Sequence, residues 1–173
     1  MPSRVLLRTP ARSDEDEFIA LMRASRRLHR RWLYPPLTRE SYRAYLERIA
    51  DDRHEGFLAC RRRDSAIVGW LNISEIVRGP FQSAYLGYGA GAPFAGQGYM
   101  SEALRLVVRH AFTTLRLHRL EANIQPGNIA SIALVRRCGF EREGYSPRYL
   151  KIGGRWRDHE RWAIRAETWR ALR

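Results

Sequence analysis

The order of segments predicts an α/β fold in the wide sense (α+β): one mixed, mainly antiparallel sheet of about six or seven strands with helices on both faces. Three observations carry that expectation. Strand-like runs at residues 56–60, 66–73 and 85–90 follow one another with only loops between them, the pattern of an antiparallel meander. A glycine-rich turn then joins the run at 85–90 to a long amphipathic helix, which leads to a further strand near residues 119–124. Residues 141–151 and 158–164 read as a closing pair of strands around Gly153-Gly154. With 173 residues, 45% of them hydrophobic, the chain is expected to fold as one domain over residues 1–173.

Residues 5–8 form the first strand. Ser13 and the acidic run 14–17 then open a helix reaching about Ser25, with acids in its positively polarised first turn. Residues 26–36 are basic and aromatic and stop at two prolines; they read either as a solvated helix end anchored by Trp32 and Leu33 or as one wall of a substrate groove. Thr38 with Ser41 starts a second helix with Tyr42, Tyr45, Leu46 and Ile49 on one face. In the long helix, Met100, Ala103, Leu104, Val107, Val108, Ala111 and Phe112 recur at helical spacing, and Ser101, Glu102, Arg105, Arg109 and His110 take the other face. Asn128 caps a further helix that Gly139 ends in a left-handed conformation, with Phe140 as its hydrophobic anchor.

The chemistry is expected at Ala95-Gly96-Gln97-Gly98-Tyr99-Met100. The first turn of a helix presents N–H groups with no internal partner at a positive dipole end, and glycines let a phosphate approach them. An ordinary tight connection between strand and helix is the other reading. No Gly-Lys-Ser or Gly-Lys-Thr is present, which excludes a P-loop, and Gly96-x-Gly98-x-x-Ser101 lacks the last glycine of a dinucleotide fingerprint.

Net charge is +13, and of 31 basic residues only Lys151 is lysine. Such a surface attracts polyanions, so contact with nucleic acid is an expectation beside the plainer one of an arginine-rich codon usage. Cys60 and Cys138 match no redox or metal spacing, and the five histidines form no ligand pattern, so no metal is expected. The opening residues lack a signal-peptide apolar region and no run is long enough for a bilayer span, so a cytoplasmic location without membrane contact is expected.

Three stretches together resemble the GNAT superfamily of acyl-CoA-dependent N-acetyltransferases, and within it the RimJ type that acts on ribosomal-protein alanine. They are residues 95–100, residues 128–131 running on to Cys138-Gly139-Phe140, and the closing run from Glu143 to His159. The resemblance implies that the turn holds the coenzyme A pyrophosphate. Gly98 matches the superfamily pattern, Ala95 stands where Gln or Arg is usual, and Met100 replaces a small residue. It also implies that pantetheine adds like a short strand to main-chain groups of Tyr88 and Ala90, that the Ala90 N–H faces the acetyl oxyanion, and that Asn128 contacts the cofactor arm.

Many relatives carry a proton-donating tyrosine where this chain has Val135. Ser131, one helical turn earlier, is therefore the candidate to orient or protonate the sulfur, beside its reading as a helix residue with a local hydrogen bond. Glu75, Tyr85 and His159 are the polar candidates for acid, base or acceptor contact, and Arg27 and Trp32 for the acceptor groove. The implied reaction is acetyl transfer from acetyl-CoA to an amine, with the α-amine of a protein N-terminus first, on a ribosomal protein or the ribosome itself. A small amine or antibiotic, and a basic RNA-binding module on the same scaffold, are the alternatives. The oligomeric state stays open.

Overall fold

The computed structural model describes residues 3–172. Seven strands, β1 (Val5–Arg8), β2 (Glu55–Arg61), β3 (Ile67–Val77), β4 (Ser83–Ala90), β5 (Arg119–Ile124), β6 (Glu141–Ile152) and β7 (Arg155–Arg165), form one sheet in the order β1-β2-β3-β4-β5-β7-β6. All neighbouring pairs are antiparallel except β4 and β5. The meander β2-β3-β4 and the closing hairpin β6-β7 are thus as expected, and the one parallel pair is the one joined through a helix, as a crossover requires.

Period-two alternation divides β2 between two cores. Phe57 and Ala59 join α4 (Tyr99–Thr113) and its partners on one face, while Leu58 and Cys60 join α1 (Glu15–Ala24) and α3 (Arg39–Ile49) on the other. Thr38 caps α3 by accepting from the Ser41 N–H, and Tyr42 and Tyr45 bury against Phe18. The Tyr45 hydroxyl donates to Asn72 Oδ1 at 2.8 Å, so the polar tips of that buried pair satisfy each other. Cys60 and Cys138 are free, buried thiols whose pKa burial pushes up, as suits structural positions.

Four differences from the expected elements have physical causes. Residues 26–29 continue from α1 as a separate short helix, α2 (Arg26–His29), because the chain turns at Ser25, whose Oγ bonds back to Leu21 O. β3 runs on past Ile73 to Val77 through an irregularity around Glu75, where φ is +52°. A last helix, α6 (Ala166–Ala171), tucks Trp169 against Phe112 at a centroid distance of 5.6 Å. Ser101 is buried rather than on the polar face of α4, because the end of α5 (Ile129–Arg137) lies over it: Arg137 Nη1 donates to Ser101 Oγ at 3.2 Å and Cys138 Sγ to Ser101 O.

What positions the site is the shortness of the β4–β5 pairing. It covers only Ser83, Ala84 and Tyr85 against Arg119, Leu120 and Glu121. Beyond Tyr85, β4 stays paired with β3 as far as Ala90, and β5 stays paired with β7 as far as Ile124. The two strands therefore part, and the sheet opens in a wedge.

Candidate active site

The wedge is the floor of a cleft of about 1120 Å³ lined by residues 86–90 of β4 and 122–124 of β5. The Gly91 N–H donates across to Val68 O at 2.8 Å, so residue 91 and its alternates along the strand face β3. By that alternation the main-chain groups of Tyr88 and Ala90 face the gap, an edge that no strand pairs, although Ala90 O is taken by His29 Nε2 at 2.8 Å. Gly89 is needed here because a Cβ would stand 2.7 Å from Trp70 Nε1.

At one end of the cleft the turn behaves as the glycines suggest. Gly96 and Gly98 have φ of +74° and +85°, and Gly98 is the N-cap of α4 with no side chain closing the first turn. The amides of that turn are left for a ligand. Ala95, Gly96, Gly98 and Met100 line the cleft, whereas the side chains of Gln97 and Tyr99 are occupied elsewhere: Gln97 Nε2 donates to Pro93 O at 2.8 Å, and Tyr99 lies edge-on to Phe94. Those two positions can offer only their main chain. Arg4, which no sequence signal marked, braces the outside of the turn by donating to Gln97 O at 2.9 Å and to Glu102 Oε1 at 2.6 Å, with its guanidinium 4.7 Å from the centre of the Tyr99 ring. Arg137 is the single Lys or Arg in the cleft lining.

Near the middle, Ser131 Oγ lies 2.6 Å from the Tyr88 hydroxyl. Asn128 accepts from the Ser131 N–H at 3.3 Å, which is its expected capping bond. Val135 is wholly buried, so the helix itself brings no hydroxyl other than that of Ser131; a tyrosine hydroxyl reaches the same place from β4 instead. Burial pushes the Tyr88 pKa up, which keeps its proton in place at neutral pH.

The other end is aromatic. Trp32, Tyr85, Tyr149 and His159 line it, together with Leu28, His29 and Leu33 from α2 and the turn after it. The Tyr85 hydroxyl is pushed up to about 12, first by its hydrogen bond with Tyr149 and then by burial. His159 is held by Nδ1 against Arg157 O at 2.9 Å, and burial depresses its pKa. No aspartate or glutamate occurs in the lining. Two expected site residues stand apart. Glu75 is exposed outside the lining and faces Arg53 and His54 at 3.7 and 3.6 Å, with left-handed backbone, although its charge still reaches Tyr85; Arg27 is exposed on α2 and is not part of the lining. Among the described residues no group of three or more His, Cys, Asp or Glu could hold a metal ion, and no helix is long and apolar enough to cross a membrane.

Sequence reasoning missed three lining residues with a buried polar atom left unpartnered: His29 Nδ1, Trp70 Nε1 and Asn123 Oδ1. Such atoms are uncommon in folded proteins, and here three belong to residues that line one cavity. No local motif marks them, because each reaches the cleft through tertiary packing.

A sheet split between two parallel strands, with an N–H-rich helix start at one end of the split and a hydroxyl pair inside it, defines an acyltransferase for a phosphate-bearing thioester. Residues 4–141 match the model of the acetyltransferase (GNAT) domain, and the chain belongs to that family of acetyl-CoA-dependent N-acetyltransferases. It is 38% identical over 120 residues to a probable N-acetyltransferase, YjcK, of Bacillus subtilis, covering 69% of this chain and 66% of the relative. It is 43% identical over 106 residues to the [ribosomal protein uS5]-alanine N-acetyltransferase of Escherichia coli, covering 61% of this chain and 55% of that protein. The matched stretches thus span between about half and two thirds of those relatives. The structure of Mycobacterium smegmatis RimJ in complex with CoA-disulfide superposes with a TM-score of 0.85 at 28% identity, over 97% of this chain and 88% of that one.

Proposed function

We propose that the chain transfers acetyl from acetyl-CoA to the α-amine of a protein N-terminus, with a ribosomal protein as the favoured acceptor, by direct attack of the amine on the thioester. The observation that carries this reading is the open β4 edge beside the Tyr88–Ser131 hydroxyl pair, in a cleft whose acceptor end has no carboxylate. The turn at 95–100 takes the pyrophosphate, and Arg137 adds a positive charge on that side. The pantetheine arm lies along Tyr88 and Ala90 as a short added strand. A gap-facing N–H, that of Ala90, meets the oxygen on which charge develops. Ser131 gives the departing sulfur its proton and is refilled from Tyr88.

The lining selects among amines. A polyamine acceptor would need acids along its length, and no carboxylate lines the cleft, Glu75 and Glu121 acting on Tyr85 only from outside the lining. An α-amine, with a pKa of about 7.7–8.0, is partly neutral at pH 7, whereas a lysine side chain near 10.4 is almost wholly charged. The name of the Escherichia coli relative supports a ribosomal protein as the source of that amine. So do the segments beside the lining: Arg26, Arg27, Arg30 and Arg31 on one bank and Lys151, Arg155 and Arg157 on the other are exposed and have no ion-pair partner among the described residues, and the Tyr34 ring against Gly153 brings the banks together. Mass mapping of acetylated model peptides tests the reading. Acetyl should appear on free α-amines in preference to lysine side chains of the same peptides; the reverse preference, or turnover only with free polyamines, overturns it.

A further inference from the structure

We infer that His29 is a catalytic residue of this acetyl transfer, its Nδ1 taking the proton that the attacking amine loses. The inference rests on the N-acetyltransferase reading above. His29 ends α2 and is 4% exposed. Its Nε2 lies 2.8 Å from Ala90 O, which can only accept, so Nε2 carries the hydrogen and Nδ1 is the ring's basic lone pair. That lone pair is buried without a partner in a residue that lines the cleft. The ring is therefore fastened to the very strand edge along which the thioester arm lies.

The placement is held from two sides. The Trp32 and Leu33 N–H groups donate to His29 O at 2.7 and 3.1 Å, and the Ala92 N–H donates to Ser25 Oγ at 2.8 Å, tying the start of α2 to the end of β4. The groups sharing the cavity leave the imidazole neutral. β4 brings Tyr85 and Tyr88, β6 and β7 bring Tyr149 and His159, α5 brings Arg137, and on α2 itself Arg26 and Arg30 point to solvent. None is an acid that would favour the charged ring, and burial pulls it the same way, below the usual histidine range. A neutral imidazole is the form a base needs. His159 is the rival, since its Nε2 is free of the bond that Nδ1 makes, but it is anchored within β7 by Arg157 O rather than to the gap-facing edge.

In the step so assigned, the amine nitrogen bonds to the acetyl carbon and its proton passes to His29 Nδ1. The carbon–sulfur bond breaks, the sulfur takes the Ser131 proton, and Ser131 recovers one from Tyr88. His29 then gives its proton to water and Tyr88 regains one, so the enzyme ends as it began.

The test measures coenzyme A affinity by calorimetry and kcat against pH with an α-amine peptide for wild type, His29→Gln, His29→Ala and His159→Gln. Gln at position 29 can keep a hydrogen bond to Ala90 O but has no basic nitrogen. His29→Gln should bind coenzyme A as wild type does and lose about 10²-fold or more in kcat, the range of a positioned general base. Added imidazole should restore part of the turnover of His29→Ala, and the acid limb of kcat should persist in His159→Gln whatever turnover that variant loses as a lining residue. His29→Gln with kcat within threefold of wild type, or with coenzyme A affinity lost in parallel, overturns the assignment; so does loss of the acid limb in His159→Gln. A wild type that acetylates no amine overturns the underlying reading as well, which separates the two failures.

Discussion

The two ends of the cleft are built by opposite means. The turn at one end is a single continuous stretch, residues 95–100, whose offer to a ligand is main-chain N–H groups, with Arg4 bracing it from outside. The acceptor end is made of side chains from separate places in the chain: His29 and Trp32 near α2, Tyr85 on β4, Tyr149 on β6 and His159 on β7. A phosphate can be met by any backbone that adopts the right turn, so side-chain identity there is loosely constrained, and Ala95 and Met100 fit without harm. An amine that must be oriented and deprotonated needs particular atoms at particular points. Substitutions at the two ends should therefore fail differently, in affinity at one and in turnover at the other.

The largest effect is expected from Gly98→Asp. At φ +85° a Cβ is strained, and the carboxylate repels a phosphate at the helix start. Gly98→Asn is the control, since asparagine tolerates that conformation and carries no charge. Calorimetry should show coenzyme A affinity reduced by about 10²-fold or more for Asp relative to Asn, the size of an added like charge in a partly buried site. Equal affinities for the two would mean that the phosphates lie elsewhere.

Ser131→Ala should lower kcat by about 10²-fold and leave coenzyme A affinity nearly intact, and Tyr88→Phe, which removes the refilling hydroxyl but keeps the ring, should cost about tenfold. Because burial raises the Tyr88 pKa, the sign is definite: the donor stays protonated at and above neutrality, and wild-type kcat should show no alkaline fall near pH 8. Full activity of Ser131→Ala would remove the hydroxyl pair from the mechanism and leave water as the proton source.

Arg137→Ala belongs to the first end and should show the milder form of that failure. Its guanidinium is tied to Ser101 Oγ and stands in water-accessible lining, so its charge is partly screened. An increase of about five- to tenfold in KM for acetyl-CoA with kcat unchanged is the expected signature of a group that holds ground state and transition state alike. A fall in kcat instead would join Arg137 to the chemistry and blur the contrast.

The same contrast explains what could be read from the chain alone. The glycine turn, the cap at Asn128 and the left-handed Gly139 are local rules obeyed by neighbouring residues, and all three appear as read. The gap between β4 and β5 follows from the register of two strands whose first paired residues, Ser83 and Arg119, are 36 positions apart, which no local rule fixes; only the family likeness implied it. His29 looked like one basic residue in a basic run, because its burial depends on β4 passing beneath α2. Glu75, read as a polar candidate for acid or base, lies two residues beyond the expected strand end at Ile73, in a backbone irregularity with a positive φ.

The smallest effect on a free peptide, and the most informative about the acceptor, is expected at the rim. Arg26, Arg27, Arg30 and Arg31 are exposed beside the lining residues Leu28, His29 and Trp32 and have no acidic partner among the described residues. Exposed charges of this kind contribute little to stability, so replacing all four by Gln should leave the fold intact. They act at a distance on a polyanion, where each neutralised phosphate steepens the fall of binding with salt by on the order of one logarithmic unit per unit. If the acceptor N-terminus is presented on a ribonucleoprotein, kcat/KM for that particle should fall with salt in wild type and much less in the variant, while kcat/KM for a short uncharged peptide should change only slightly in either. Parallel salt curves for wild type and variant on the particle would mean that the arginines do not meet phosphate, and the acceptor would then be chosen by the aromatic end of the cleft alone.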